Sequence, residues 1–393
     1  MRLLVGRGEP MVMGDVGTAS HRLGVDWLVG RVGPVAGRRP GAPLVILTSL
    51  PAVQEVGVVP AAVVHLAREG PPRAFVVGVD GARRPAVFRV VAPGLPETGS
   101  SADNLIREDT DRRSRTVGAL GEGPWRRMRD LRYALVGCGR TGSLVAHTLV
   151  RSGALRLALI DPDRVEPHNL DGDGFTLHHL RHPKAAALAE SLRAVDPEVE
   201  AEALATSVTD VEALSALKGA DVLICAADDD GARWACGAAS TFYLKLLLDV
   251  GTGVLRGDGE GRLLGADIRW IVPGERCLLC TGGLARPEEA GVALEGTVRE
   301  RGWREGRDWR RERLGSLRSL NQAAVGLALR MLEDYLSGHL RGSLWVRLTY
   351  RGGVPELVQP TPAPPGRGCL CRFVGGGDRL LTGISHLSWP LPR

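Results

Sequence analysis

The rhythm of apolar and polar positions changes near residue 133. From there, short apolar runs alternate with stretches whose apolar residues recur every three or four positions. YALVG (133–137) predicts a strand, and Leu144, Val145, Thr148 and Leu149 follow at helical spacing. RLALI (156–160) predicts the next strand, and a helix from Lys184 carries Leu188, Leu192 and Val195 on one face. DVLICA (221–226), LLLDVG (246–251) and ADIRWIV (266–272) predict further strands. Leu317, Leu320, Ala324, Leu327, Met331 and Tyr335 mark a late amphipathic helix. Such alternation predicts an α/β fold: a Rossmann-like, mostly parallel sheet flanked by helices on both faces.

Residues 1–95 have another texture. LVGR, PLVILTSL, RAFVVGVDG and AVFRVVAP predict short strands, with one helix near Pro60–Arg68. From Pro93 to about Asp111 the composition turns to Pro, Gly, Ser and Asp, as in a linker. The expected organisation is a smaller N-terminal mixed domain over 1–105, a nucleotide-binding domain over 111–375 and a tail over 376–393.

Composition narrows the function classes. At 393 residues and 44% hydrophobic, the chain can bury two cores. No apolar run reaches the ~20 residues of a membrane span, and MRLLVGRGEP lacks the pattern of a signal peptide. A soluble, cytoplasmic protein is expected. The net charge of +5 is concentrated in two arginine-rich stretches, Arg112–Arg132 and Arg299–Arg318, in which acidic residues are interleaved. They read as solvated or polyanion-facing surface rather than a nucleic-acid module. Seven cysteines in such a chain argue against a disulfide framework. Cys138, Cys225 and Cys236 stand singly and read as buried hydrophobes, whereas Cys277 with Cys280 and Cys369 with Cys371 come as close pairs.

Two motifs carry chemistry. Gly137-x-Gly139-x-x-Gly142 follows a predicted strand and opens a helix, where backbone N–H groups donate to phosphate oxygens. Asp161 ends the next strand 19 residues beyond Gly142, where a carboxylate accepts from a ribose hydroxyl. This pair alone does not separate NAD from ATP. The four paired cysteines offer two chelating pairs of thiolates suited to a closed, structural Zn²⁺ site.

The stretch after Asp161 resembles a family. LIDPDRVEPHNLDGDGF is similar to the D-x-D-x-V-E-x-x-N-L-N-R-Q segment of ubiquitin-activating-enzyme-like (ThiF/MoeB) adenylyltransferases, with Asp161, Asp163, Val165, Glu166, Asn169 and Leu170 matching. HPKAAALAESLRAVDP, CAADDDGARW, the paired cysteines and the DRRSRTVGALGEGPWRRMRDLRYALVG lead-in resemble four further family segments in the correct order. The resemblance implies ATP as nucleotide, with Asp161 on the ribose and Lys184 and Arg115 on the phosphates, Arg115 reaching across a homodimer. It also implies that Asp228 holds Mg²⁺ and that Asp163 and Asn169 line the site.

One departure bears on activity. The family's phosphate-binding arginine falls here on Gly172, flanked by Asp171 and Asp173. Losing such a contact ordinarily costs ~2–4 kcal/mol. Arg140, where the family has glycine, is the candidate replacement, with Arg181 the second. No cysteine lies between Cys280 and Cys369, where relatives that form a thioester carry theirs; the stretch Arg299–Arg313, with Trp303 and Trp309, stands there instead.

The resemblance implies ATP-dependent adenylation of the C-terminal carboxylate of a small ubiquitin-like protein, sulfur carrier or peptide. The competing reading is a catalytically degenerate scaffold that binds a peptide or protein and presents it to another enzyme. An NAD(P) oxidoreductase is a more distant third. The N-terminal domain reads as a protein-binding module or a degenerate JAB/MPN-like domain lacking its metal-binding H-x-H.

Overall fold

The computed structural model describes residues 112–284 (except 244, 257–261 and 274), 317–364 (except 352–353) and 369–370; before 112 it describes five strands. These are β1 (Val12–Met13), β2 (Leu44–Thr48), β3 (Ala61–His65), β4 (Arg73–Val77) and β5 (Arg83–Ala86). They form one sheet in chain order, with β2 and β3 parallel and the other pairs antiparallel. The helix expected near Pro60–Arg68 is instead strand β3. The run AAVVH is short, and its two valines suit a strand paired on both sides better than a helix. For AVFRVVAP, the described strand is the preceding β5. LVGR, the linker and the C-terminal tail lie outside the described residues.

From 112 the chain builds an eight-stranded sheet. Helices α1 (Ser114–Leu120) and α2 (Glu122–Asp130) lead into β6 (Arg132–Val136), α3 (Arg140–Ser152), β7 (Arg156–Ile160), α4 (Lys184–Val195), β8 (Glu200–Leu204), α5 (Val211–Gly219) and β9 (Val222–Cys225). There follow α6 (Asp230–Tyr243), β10 (Leu246–Arg256), β11 (Arg262–Ile271), α7 (Arg318–Leu336), β12 (Leu344–Arg351) and β13 (Val354–Val358). The strand order is β13-β12-β11-β10-β9-β6-β7-β8. The pairs from β10 through β8 are parallel, and those from β10 to β13 antiparallel. The fold is the expected mostly parallel sheet between helices.

Both faces are covered. Tyr133 and Leu135 of β6 pack on the side of α3, α4 and α7, whereas Ala134 and Val136 pack on the side of α5 and α6. This double burial explains why these strands read as continuous apolar runs rather than alternating ones. At ~25 cal/mol per Å² of apolar surface removed from water, this core supplies the dominant stabilisation.

The arginine-rich stretch 112–132 is mostly tied down within the molecule. Arg113 is 5% exposed and pairs with Asp196, which also receives Arg112. Arg127 donates to the Leu336 carbonyl, and Arg129 pairs with Glu198. No helix among the described residues is long and apolar enough to cross a membrane.

Candidate nucleotide site

β6 lies between β7 and β9, so the chain leaves β6 to one side and returns to the other. That makes the carboxyl ends of β6 and β9 the topological switch point, where open α/β sheets bind ligands. Val136 stands level with Ile160 on one side and Cys225 on the other. The loops beginning at Gly137, Asp161 and Ala226 therefore emerge side by side, bringing together residues far apart in sequence.

The glycine loop is shaped by close approach. Gly137 has φ +90°, and a Cβ there would lie 2.9 Å from the Ala226–Ala227 backbone. A Cβ at Gly142 would collide with the Gly137 carbonyl. Both positions demand glycine for the protein's own packing. Gly139, the N-cap of α3, differs: a Cβ there would meet no atom of the described residues within 4 Å. Its freedom leaves the loop's outer side open at the positive end of a 13-residue helix, which fits an approaching phosphate.

Three carboxylates and a lysine gather beside that loop. Asp161 is buried; its Oδ2 accepts the Cys138 N–H at 2.7 Å and its Oδ1 the Asp163 N–H at 2.8 Å. Burial pushes its pKa up, outweighing the pull of Lys184 and the two backbone donors. Lys184 opens α4, and its Nζ donates to Asp163 Oδ2 at 2.9 Å. Burial opposes its charge, but Asp161, Asp163 and Asp228 together hold its pKa above the ordinary lysine value. It remains a cation at neutral pH. Asp228 is exposed on the turn after β9 and makes no hydrogen bond or ion pair among the described residues. Asn169 turns its side-chain oxygen to the Glu166 N–H at 2.9 Å, closing a short 3₁₀ turn.

The departure at Gly172 has a structural counterpart. A Cβ there would lie 3.6 Å from Arg140 Cγ and 3.8 Å from its Cα, so Arg140 flanks the place where the family's arginine would stem. The Arg140 guanidinium is paired with Asp171, and Arg318, at the start of α7, with Asp173. Arg181 adopts φ +69° and is exposed, with its carbonyl accepting from Arg164.

Arg115 is the expected residue that does not join the others. It is exposed on α1, whose lead-in residue Arg113 donates to the Val150 and Arg151 carbonyls at the C-terminal end of α3. The glycine loop opens the other end of that helix, about 20 Å away at 1.5 Å per residue over its 13 residues. An arginine side chain cannot span that length.

Cys277, Cys280 and Cys369 are buried with their sulfurs all within 4.8 Å of one another. Cys371 lies outside the described residues. Thiols on a tight turn joined by a distant third are a donor set that fits Zn²⁺. Cys138, Cys225 and Cys236 are each 0% exposed, as expected of buried hydrophobes.

A family model described as "ThiF family" matches residues 112–332. The chain belongs to the ThiF family. Its relatives include a sulfur carrier protein adenylyltransferase of Thermus thermophilus, 30% identical over 36% of this chain and 54% of the relative. A ubiquitin-like modifier-activating enzyme 5 of Drosophila simulans is 39% identical over 22% of each chain. An ATP-dependent ubiquitin transferase-like protein, Cap2, of Enterobacter hormaechei is 30% identical over 26% of this chain and 18% of the relative. This ThiF-family chain thus spans about half or less of each of these relatives. Its fold is also that of E. coli MccB solved with ATP, at TM-score 0.50 and 17% identity, covering 68% of this chain and 74% of that one. The structure of MccB in complex with N-formylated MccA gives TM-score 0.51 at 16% identity, covering 65% and 74%.

Sequence reading missed the charged residues behind the site. Arg233 lies in the family-like segment CAADDDGARW, and Asp249 and Arg269 lie within the strand runs LLLDVG and ADIRWIV, where the apolar pattern gives them no role. They form a buried ion cluster. The available signal was a charge inside each apolar run, LLLDVG and ADIRWIV, since such residues are almost never buried unless paired.

Proposed function

We propose that this ThiF-family chain adenylates the C-terminal carboxylate of a small ubiquitin-like protein, sulfur carrier or peptide, using ATP. The observation that carries the reading is the direct packing of the glycine loop on the Asp228 turn at the switch point, with Lys184 beside Asp161 and Asp163. The substrate carboxylate attacks the α-phosphorus of ATP and pyrophosphate leaves. Negative charge builds on both pieces, so the work is positioning and electrostatic stabilisation.

In this reading the loop N–H groups and Lys184 bind phosphate oxygens, Arg140 replaces the missing arginine, and Asp161 holds the ribose hydroxyls. Asp228 would hold Mg²⁺, which neutralises phosphate charge when bound. A homodimer brings in the partner's copy of Arg115. The zinc at the cysteines is structural. The absence of cysteine between Cys280 and Cys369 supports adenylation without a thioester in that loop.

The Arg140–Asp171 ion pair favours the second reading, a degenerate scaffold that presents a peptide, because it sets a carboxylate against the replacement cation. ATP–pyrophosphate exchange with Gly-Gly-ended small proteins from the same gene neighbourhood decides between them. Label entering ATP only when protein partner and Mg²⁺ are both present is the expected result. No exchange with any partner, together with no Mg·ATP binding, leaves the scaffold.

A further inference from the structure

A buried chain of charges runs from the Asp228 turn to the cysteine turn. Arg233, on α6, donates its Nε to the Ala227 carbonyl at 3.1 Å and its Nη1 to Asp249 Oδ2 at 3.3 Å. Ala227 is the residue before Asp228. Asp249, on β10 and level with Cys225, is 0% exposed and takes a second guanidinium on the same oxygen, Arg269 Nη1 at 2.8 Å. Arg269, on β11, donates its Nε to the Thr281 carbonyl at 2.9 Å and its Nη2 to the Gly282 carbonyl at 3.2 Å. Thr281 and Gly282 directly follow Cys280.

The arrangement is poor value as mere stabilisation. Desolvating charges costs what their attraction returns, and apolar residues of similar size commonly serve as well. Asp249 Oδ1 is buried and finds no hydrogen-bond partner among the described residues. Strand β10 is constrained two residues further on as well: a Cβ at Gly251 would lie 2.5 Å from Arg233 Nη2. What the cluster does supply is direction. Arg233 bridges one carbonyl to Asp249, and Arg269 bridges two carbonyls to Asp249 and, at 3.2 Å, to Asp267 of its own hairpin, so the two planar guanidiniums fix two backbone turns relative to each other.

We infer that Arg233, Asp249 and Arg269 are positioning residues that hold the Asp228 turn against the glycine loop and make its order depend on the cysteine turn. The turn is clamped on one side by Gly137 and on the other by Arg233. Among the described residues Asp228 itself makes no hydrogen bond or ion pair that would hold it, so its placement rests on the backbone of Ala226 and Ala227. Loosening the cysteine turn takes away both carbonyls that orient Arg269, leaving it to Asp267 and the Trp345 ring, and the misalignment passes through Asp249 to Arg233. The inference rests on the proposed nucleotide reading for its consequence at Asp228, but the mechanical link stands apart from it.

The test follows amide hydrogen exchange over 226–233, where Ala226, Ala232 and Arg233 donate backbone bonds, beside Mg²⁺ titration of ATP binding by calorimetry. Asp249→Asn keeps the volume and removes the charge. It should speed exchange over 226–233 and raise the Mg²⁺ needed for half-maximal ATP binding about tenfold, within the range of measured couplings between sites. Exchange in β6 to β8 should not change. Chelator should speed exchange over 226–233 in the wild type.

Arg269→Lys keeps a cation facing Asp249 but cannot bridge to the two carbonyls, so it serves if Asp249→Asn does not fold. In that variant chelator should no longer reach 226–233. A lower melting temperature with unchanged exchange at 226–233, or chelator acting equally on wild type and Arg269→Lys, overturns the inference. Asp228→Asn separates the two proposals. If it leaves Mg²⁺ dependence untouched, the nucleotide reading fails while the exchange comparison still judges the link.

Discussion

Arg140 stands in the first turn of α3 with Gly172 against its side chain, the contact on which its proposed role at the phosphates rests. In the proposed reading, Arg140 supplies from the first turn of α3 the charge that the family's arginine would supply from position 172. Arg140→Ala should therefore weaken ATP binding about 10- to 150-fold, the loss of a charge-assisted contact of roughly 1.5–3 kcal/mol. Gly172→Arg in that background should recover part of the loss. The site has room for it, since the nearest backbone atom to a Cβ there is 3.4 Å away and φ is not in the left-handed region. Asp228→Asn should abolish exchange and leave the fold and metal content as they are, because Asp228 is exposed and unengaged in packing. Calorimetry on the three variants checks these outcomes. Unchanged ATP affinity in Arg140→Ala would remove Arg140 from the phosphates.

Among the elements, α1 is the one whose anchorage depends on charge. Asp196, 1% exposed at the end of α4, receives Arg113 and Arg112, and Arg113 also binds the last carbonyls of α3. Burial raises the Asp196 pKa, but the Arg113 hydrogen bond, the Glu198 N–H and both guanidiniums outweigh it and hold the pKa below the ordinary value. A depressed folded pKa means stability present above the unfolded value, about 3.9, and lost as pH falls through the folded one. Asp196→Asn should cost roughly 3 kcal/mol at neutral pH, as for one broken buried pair. It should also flatten the acid side of a urea-midpoint profile below about pH 4. A variant profile parallel to the wild type contradicts this. The element scale is also where the sequence was most legible. β6, β7, α3, α4, β9 and α7 coincide with their apolar patterns because the helices bury one face at helical spacing and the strands run apolar between two covered faces. β8 (EAEAL) carries few large apolar residues and is fixed by pairing with β7, and β12 and β13 extend the antiparallel side of the sheet. β3 differs from the helix expected there because a five-residue apolar run is too short to carry a period that separates helix from strand. At the site, the motif residues were legible by spacing. The pairing of Arg140 with Asp171, and the Arg233–Asp249–Arg269 cluster, depend on contacts across 16 to 31 residues that no local pattern encodes.

For the whole molecule, the cysteine site and the position of α1 make separate demands. The cysteines join the turn after β11 to a segment some 90 residues on, and Ala363 donates back to the Cys280 carbonyl at 2.8 Å. About one zinc per chain is expected, and its removal should lower the melting temperature by about 10 °C, since such a site contributes several kcal/mol of folding energy. Metal analysis and a chelator melt read this directly; an unmoved melt denies a structural metal. The position of α1 then bears on assembly. Arg113 fixes α1 at the far end of α3, about 20 Å from the glycine loop. If Arg115 serves a nucleotide site, that site belongs to another protomer, and a two-fold dimer gives each protomer's arginine to its partner. Arg115→Ala and Asp228→Asn should each be inactive alone. Unfolded or dissociated together and reassembled in equal amounts, they form mixed dimers in which one site has both an intact Asp228 and an intact Arg115 from across the interface. Half the dimers are mixed and each carries one good site of two, so about a quarter of wild-type exchange should return. An arginine acting within its own chain gives no recovery, because every protomer then lacks one of the two residues. No recovery from a mixture verified to contain mixed dimers would put Arg115 outside the partner's site.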